Sequence, residues 1–222
     1  MPITYLIISM WVVVIIFSLT VHEYSHGRVA LSLGDDTAQR MGRLSFNPLK
    51  HLDPFGVACF YFIGIGWAKP VPVDWRNFQN PHKDMMYVAL AGPASNVVLA
   101  VICSFFLRML SPEAHPLLFV LFSLGTYMNV VLALFNMLPI FPLDGGSVIK
   151  GLVPHDLAEK IGRYDRFGAF LILGIFLLDK FAGTQILSFV LWRPIMYTVQ
   201  LLAQDAYPIL EQVLGQVFAL IF

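Results

Sequence analysis

The chain has 222 residues, 58% of them hydrophobic and 13% charged, with a mean hydropathy of +0.73. A soluble domain carries about a quarter charged residues, so this composition excludes an ordinary soluble protein and indicates one embedded in a membrane. With 14 basic and 14 acidic residues the formal charge is +0, which leaves no basic excess for nucleic acid.

Taken in chain order, the first predicted element is a long helix from about Ile3 to Leu33, closed by Gly34, with Asp35 and Asp36 beyond it. At about 1.5 Å per residue it is longer than the roughly 30 Å hydrocarbon core, so its last turns project or tilt. The N-terminus lacks the basic region of a secretory signal, and the helix is expected to be retained rather than cleaved. Its apolar run from Ile3 to Thr20 leads into His22-Glu23-Tyr24-Ser25-His26, an H-E-x-x-H pattern. Residues four apart in a helix lie about 6 Å apart along the axis and about 40° apart around it, so His22 and His26 share a face and can hold one Zn²⁺. Glu23, on the adjacent face, is placed to polarise water on the metal without being a ligand. On a soluble helix these residues would often be a solvated face. At the end of a membrane-length segment, ionisable groups are costly and are usually paired, metal-bound or functional.

A polar connector, Asp35 to Pro54, follows and carries Arg40, Arg43, Lys50 and His51. The apolar stretch from Phe55 to Trp67 is too short to span, and Gly56, Gly64, Gly66, Pro70 and Pro72 argue against helix. We expect Phe60 to Val73 to form a small re-entrant or interfacial β-hairpin, either with an exposed edge that pairs with an opened substrate backbone or as a membrane anchor with no substrate role. After a second connector, Asn77 to Asp84, a transmembrane helix is expected from Met85 to about Leu110. It is interrupted early by Ala91-Gly92-Pro93-Ala94-Ser95-Asn96, and Asn96 reads as interhelical glue. A further helix runs from Leu117 to about Leu138 and stops where Pro139, Pro142, Gly145 and Gly146 forbid regular helix. Ser147 to Gly162 reads as one short surface helix, and Phe167 to Leu178 and Ile186 to Leu202 as apolar segments. Arg193-Pro194 suggests that the second of these is broken, tilted or partly interfacial. Tyr207 to Phe222 reads as a final half-helix or a membrane-surface segment.

Lys and Arg accumulate between Arg28 and Lys83 and between Lys150 and Arg166, whereas the link after Leu110 has none. The positive-inside rule makes both basic regions cytoplasmic and puts the N-terminus outside, which brings Asp144 to the same side as His22 and His26. A catalytic zinc takes three protein ligands and keeps a fourth position open, so Asp144 is the acidic candidate for the third. Taken alone, an aspartate before Gly145-Gly146 is a common turn residue. His51, His82, His115 and His155 lack ligand-like spacing and read as interfacial or loop residues. Cys59 and Cys103 are unpaired apolar-site residues, and Trp67, Trp75 and Trp192 suit interfacial anchoring.

The sequence resembles the site-2 protease family of intramembrane zinc metalloproteases. The match rests on His22-Glu23-x-x-His26, Ala91-Gly92-Pro93 with Asn96, and Asn136-x-x-Pro139-x-x-Pro142-Leu143-Asp144-Gly145. It also uses the connector Asn47 to Gly56 and the stretch Gly66 to Val73, and covers roughly residues 5 to 150. The resemblance implies that His22, His26 and Asp144 ligate zinc, that Glu23 is the general base, and that Asn136 is the polar side chain near the scissile carbonyl. No regulatory or PDZ-like module is recognisable, so a minimal, core-only member is expected.

The expected fold is an all-α polytopic membrane protein, a transmembrane bundle with the small β-hairpin. It would form a single membrane-embedded domain over 1–222, with a catalytic core of about 5–150 and C-terminal helices of about 155–222. The expected cofactor is one Zn²⁺ per chain. The expected partners are transmembrane protein substrates and the lipid bilayer, with no nucleic acid. The expected location is the plasma membrane of a prokaryote, with the site toward the cytoplasm. Two alternatives stand beside this. A metal transporter or sensor should show polar groups through the full membrane depth, whereas here they cluster at one level. An inactive helix-binding scaffold would have no need of Glu23.

Overall fold

A computed structural model describes residues 2–56, 59 and 66–221. Helix α1, Pro2–Ser32, ends as the sequence suggests. Gly34 takes φ +107°, its N–H reaches the Leu31 carbonyl at 3.2 Å, and the Asp35 N–H reaches Ala30 at 2.9 Å. This paired closure ties off the last free carbonyls and needs a residue without a Cβ at position 34. A single turn, α2 (Thr37–Arg40), follows.

Helix α3, Pro81–Met109, begins four residues before the expected Met85. Pro81 occupies the first helical position, where its missing N–H costs nothing, and the Asp84 carboxylate reaches back to the Asn80 N–H at 2.9 Å. Pro93 does not break it: the helix runs on through the small residues around that position. Helix α4 is Pro116–Asn136 and stops ahead of Pro139. Thr4–Ser32, Pro81–Met109 and Pro116–Asn136 are each long and apolar enough to cross a membrane.

The single surface helix expected over 147–162 is two, α5 (Asp144–Leu152) and α6 (His155–Gly162). Pro154 divides them, because it has no N–H to continue the ladder. Helix α7 is Asp165–Ala182. The Arg193-Pro194 segment is broken: a π turn over Ser188–Trp192 leads into α8, Arg193–Ala203, whose first turn accommodates the proline. Helix α9 is Tyr207–Ile221.

The β-hairpin expected over Phe60 to Val73 is not found among the described residues. Residues 60–65 lie outside them, and 66–73 forms no strand, only an isolated antiparallel bridge between Leu52 and Ala68. Pro70 and Pro72 have no N–H to offer a ladder, the Lys69 N–H is spent on the His51 carbonyl at 2.8 Å, and the Val71 N–H is spent on the Glu23 carboxylate at 2.9 Å. Two of the N–H groups such an edge would offer, those of Lys69 and Val71, are therefore already engaged.

The chain divides into two compact units. One comprises residues 1–18, 96–136 and 169–222, and its apolar core contains Trp11, Leu107, Leu124, Val199, Leu210, Leu214 and Val217. Trp11, Tyr127, Trp192 and Phe218 form an aromatic cluster within it. Asn96 is fully buried and donates to the Asn129 side-chain oxygen at 2.8 Å, while Asn129 donates to the Gly125 carbonyl at 2.9 Å. A polar link of this kind ties α3 to α4 where neither amide can reach water.

The other unit comprises residues 19–95 and 137–168. Ala30, Phe78 and Val88 form its small apolar core, with Val29, Leu33, Val73 and Met85 against it. Beside that core the buried carboxylate of Asp35 gathers the Thr37 N–H at 3.1 Å, the Asp74 N–H at 2.8 Å and the Asn77 side-chain amide at 2.7 Å, with the Thr37 hydroxyl as a fourth donor. One side chain thus staples the exit of α1 to the 74–77 turn.

Candidate metal centre

His22 and His26 stand one turn apart on α1, and both are buried. Their Nε2 atoms lie 3.0 Å apart. Asp144, the first residue of α5, brings its Oδ2 to 3.1 Å from His22 Nε2 and its Oδ1 to 3.3 Å from His26 Nε2. All three residues belong to the second unit. They are the one group of three or more His, Cys, Asp or Glu side chains among the described residues whose ligand atoms converge, within 4.8 Å of one another.

Glycines make this convergence possible. A Cβ at Gly145 would stand 2.3 Å from the Leu138 carbonyl, and one at Gly146 would stand 2.7 Å from the Phe141 nitrogen. Only residues without side chains let the 137–146 turn fold back closely enough to deliver Asp144. Across from the imidazoles, a Cβ at Gly92 would come within 2.4 Å of His26 Nε2 and 2.5 Å of His22 Nε2. Four residues earlier on α3, the Val88 carbonyl lies 2.6 Å from His26 Nδ1. Residues 88 and 92 therefore present one helix face to the face that carries residues 22 and 26.

The Val88 contact fixes the tautomer. A carbonyl can only accept, so in the neutral imidazole His26 Nδ1 carries the proton and Nε2 is left with a lone pair. That lone pair, the His22 nitrogen and two carboxylate oxygens face one another, and Asp144 Oδ2 is buried with no hydrogen-bond partner among the described residues. Electron-rich atoms gathered this way out of water call for a cation. With zinc–ligand distances of about 2.0–2.2 Å, neighbouring ligands of a tetrahedral ion are roughly 3.3 Å apart, close to the three separations here, so the residues fit Zn²⁺.

Glu23 belongs to the same turn of α1, and its Oε2 accepts the Val71 N–H at 2.9 Å. Asn136, the last residue of α4, donates from Nδ2 to the Leu132 carbonyl at 2.9 Å, one turn back in its own helix. The other histidines do not join the site. His51 is in a turn, as expected, but it is buried, with Nε2 2.7 Å from the Ser45 carbonyl. His82 and His155 pack ring to ring at 4.7 Å beside a cavity that holds none of the three convergent residues. The roles of Val88 and Gly92 in seating the imidazoles, and of Val71 in holding Glu23, were missed in the sequence. The signals available were the small-residue run around Gly92 and a lone amide between two prolines.

The model of Peptidase family M50 matches residues 112–177. Three relatives carry the name "Putative zinc metalloprotease". YwhC of Bacillus subtilis is 40% identical over 188 residues, 82% of this chain and 83% of that protein. Rip2 of Mycolicibacterium smegmatis is 27% identical over 195 residues, 84% and 72% of the two chains. MJ0611 of Methanocaldococcus jannaschii is 48% identical over 63 residues, 28% and 32%. No solved structure matches the chain. The chain belongs to peptidase family M50, the site-2 protease family. Membership of a peptidase family disfavours both the transporter and the inactive scaffold.

Proposed function

We propose that this chain is an intramembrane zinc metalloendopeptidase that hydrolyses peptide bonds in or near the transmembrane segments of other membrane proteins. The observation that carries the proposal is the meeting of His22, His26 and Asp144 within 4.8 Å, with Glu23 in the same turn of α1. His22, His26 and Asp144 would hold one Zn²⁺, which when bound supplies Lewis-acid polarisation of water and of a carbonyl.

The protein side chains do the rest. The Val88 carbonyl keeps His26 in the tautomer that offers Nε2, and Gly92 leaves the space in which both imidazoles meet Asp144. Glu23 takes a proton from the attacking water and returns it to the leaving amine. Its Oε2 is engaged by Val71, so Oε1 is the oxygen left for that transfer. Asn136 has a second amide hydrogen beyond the one given to Leu132, and we assign it to the oxyanion of the scissile carbonyl.

The protein spans the membrane several times as a single domain, in the plasma membrane of a prokaryote. Its N-terminus is outside and its active site is toward the cytoplasm, with the distribution of Lys and Arg as support. The test is incubation of the purified, zinc-loaded protein with a panel of single-span substrates, with and without a chelator. Cleavage that stops on chelation and returns with zinc supports the assignment, whereas cleavage indifferent to chelation, or none of any substrate, overturns it.

A further inference from the structure

We propose that Arg43 is a positioning residue for Glu23, acting through one peptide group of the segment 69–71; the proposal rests on the general-base role assigned to Glu23 above. The Arg43 guanidinium Nη2 donates to the Lys69 carbonyl at 2.8 Å and to the Pro70 carbonyl at 3.2 Å. The Pro70 carbonyl belongs to the same peptide group as the Val71 N–H, which donates to Glu23 Oε2 at 2.9 Å. Arg43 and Glu23 thus grip opposite ends of a single planar unit. Because that unit does not twist, the guanidinium sets where the N–H points.

The flanking residues stiffen the link. Pro70 has its own φ fixed by its ring, and Pro72 restricts Val71 to extended backbone. The Val71 side chain is buried against α1 over Gly27, where an added Cβ would stand 3.1 Å from Val71 Cγ1 and 3.2 Å from Leu44 Cδ1. Leu44 follows Arg43, so the two parts of the clamp are seated on the same spot, one residue past His26. Lys69 is tied independently by its N–H on the His51 carbonyl. Among the described residues Arg43 Nε is buried without a partner, so the guanidinium's hydrogen bonds to the segment run through Nη2. A carboxylate on an exposed helix samples several rotamers. One held by a rigid amide presents one oxygen in one direction, which is what proton transfer over a fixed distance requires.

The test uses the full-length zinc-loaded protein and two variants, Arg43→Gln and Arg43→Lys, with two readouts. In single-span substrate cleavage, Arg43→Gln should lower kcat roughly ten- to a hundredfold with KM and zinc content unchanged. Arg43→Lys, which keeps the charge, should fall between that variant and the parent. In amide hydrogen exchange, Val71 supplies the only exchangeable backbone proton of 70–72. Its exchange should be slow in the parent and at least about tenfold faster in Arg43→Gln and in Glu23→Ala. Unchanged kcat in Arg43→Gln overturns the proposal, and so does a Val71 amide that exchanges at the parent rate in either variant. If the parent cleaves nothing, the protease assignment has failed instead, and the exchange measurement still decides whether Arg43 and Glu23 are linked.

Discussion

At Gly92 a single methyl group would meet both imidazoles at once. An alanine there would put its Cβ 2.4 Å from one imidazole and 2.5 Å from the other, closer than packed carbon atoms come, so the histidines must turn away from Asp144. Gly92→Ala should lower zinc affinity about ten- to a hundredfold while the helices stay folded. Metal titration against circular dichroism separates the two, and full-strength zinc binding in the folded variant would show that Gly92 does not seat the ligands. The carboxylates divide differently. Glu23→Gln should keep the metal and lose roughly 10²–10⁴ in kcat, because only proton transfer is removed. Asp144→Ala should release zinc, with Asp144→Asn intermediate, since a neutral amide oxygen is a poorer ligand. Metal analysis of the three variants checks the assignment: zinc missing from Glu23→Gln, or retained tightly in Asp144→Ala, would reverse the roles.

Among the elements, the connector between α1 and the 74–77 turn depends most on one group. Burial would raise the Asp35 carboxyl, but donation from the Thr37 hydroxyl, the Asn77 amide and the Asp74 and Thr37 N–H groups outweighs it and holds the carboxyl below its ordinary value. A depressed folded-state pKa means a contribution to stability that is complete above the unfolded value of about 3.9 and is lost as pH falls through the folded one. Asp35→Ala should cost about 3 kcal/mol by stranding buried donors, and Asp35→Asn should flatten the acid side of the stability profile. Thermal unfolding in detergent between about pH 6 and pH 3 measures both, and identical acid slopes in parent and Asp35→Asn would exclude Asp35 as the titrating group. At this scale the sequence was readable where local chemistry decides. Gly34 closes α1 by a rule of the backbone itself, whereas Pro154, which divides α5 from α6 by a rule of the same kind, was passed over in the single helix expected over 147–162. The stretch 66–73 was misread because glycines and apolar residues suggest a strand, whereas the N–H groups of Lys69 and Val71 are spent on His51 and Glu23, partners 18 and 48 positions away in the chain. The start of α3 was set four residues late because the polar residues after Pro81 look like loop until Asp84 is seen to cap it.

For the molecule in its membrane, the convergence of His22, His26 and Asp144 requires that the end of α1 and the start of α5 emerge on one side. Arg40 and Lys150 should therefore both be cytoplasmic, with the N-terminus outside. Cysteines introduced at these positions in a variant lacking Cys59 and Cys103 should be labelled accordingly by an impermeant reagent. Arg40 and Lys150 on opposite faces would contradict the proposed topology. The three candidate spans could be read from length and hydropathy alone, the shared face of His22 and His26 from one turn of helix, and Asp144 as a candidate beside them from the expected topology. The partner of that turn could not be read, because local sequence does not say that residues 88 and 92 of α3 face α1.

With Glu23 as the proposed proton acceptor, an enzyme that hydrolyses peptides presses part of its own backbone against that group, which exposes it to cutting itself. The peptide in contact is Pro70–Val71, and its carbonyl oxygen is already taken by the Arg43 guanidinium. The bonds on either side, Lys69–Pro70 and Val71–Pro72, are tertiary amides with no N–H to dock as a substrate strand would. On the role proposed for Glu23, the two prolines that spoil this stretch as a strand would also make it a poor substrate for the protein itself.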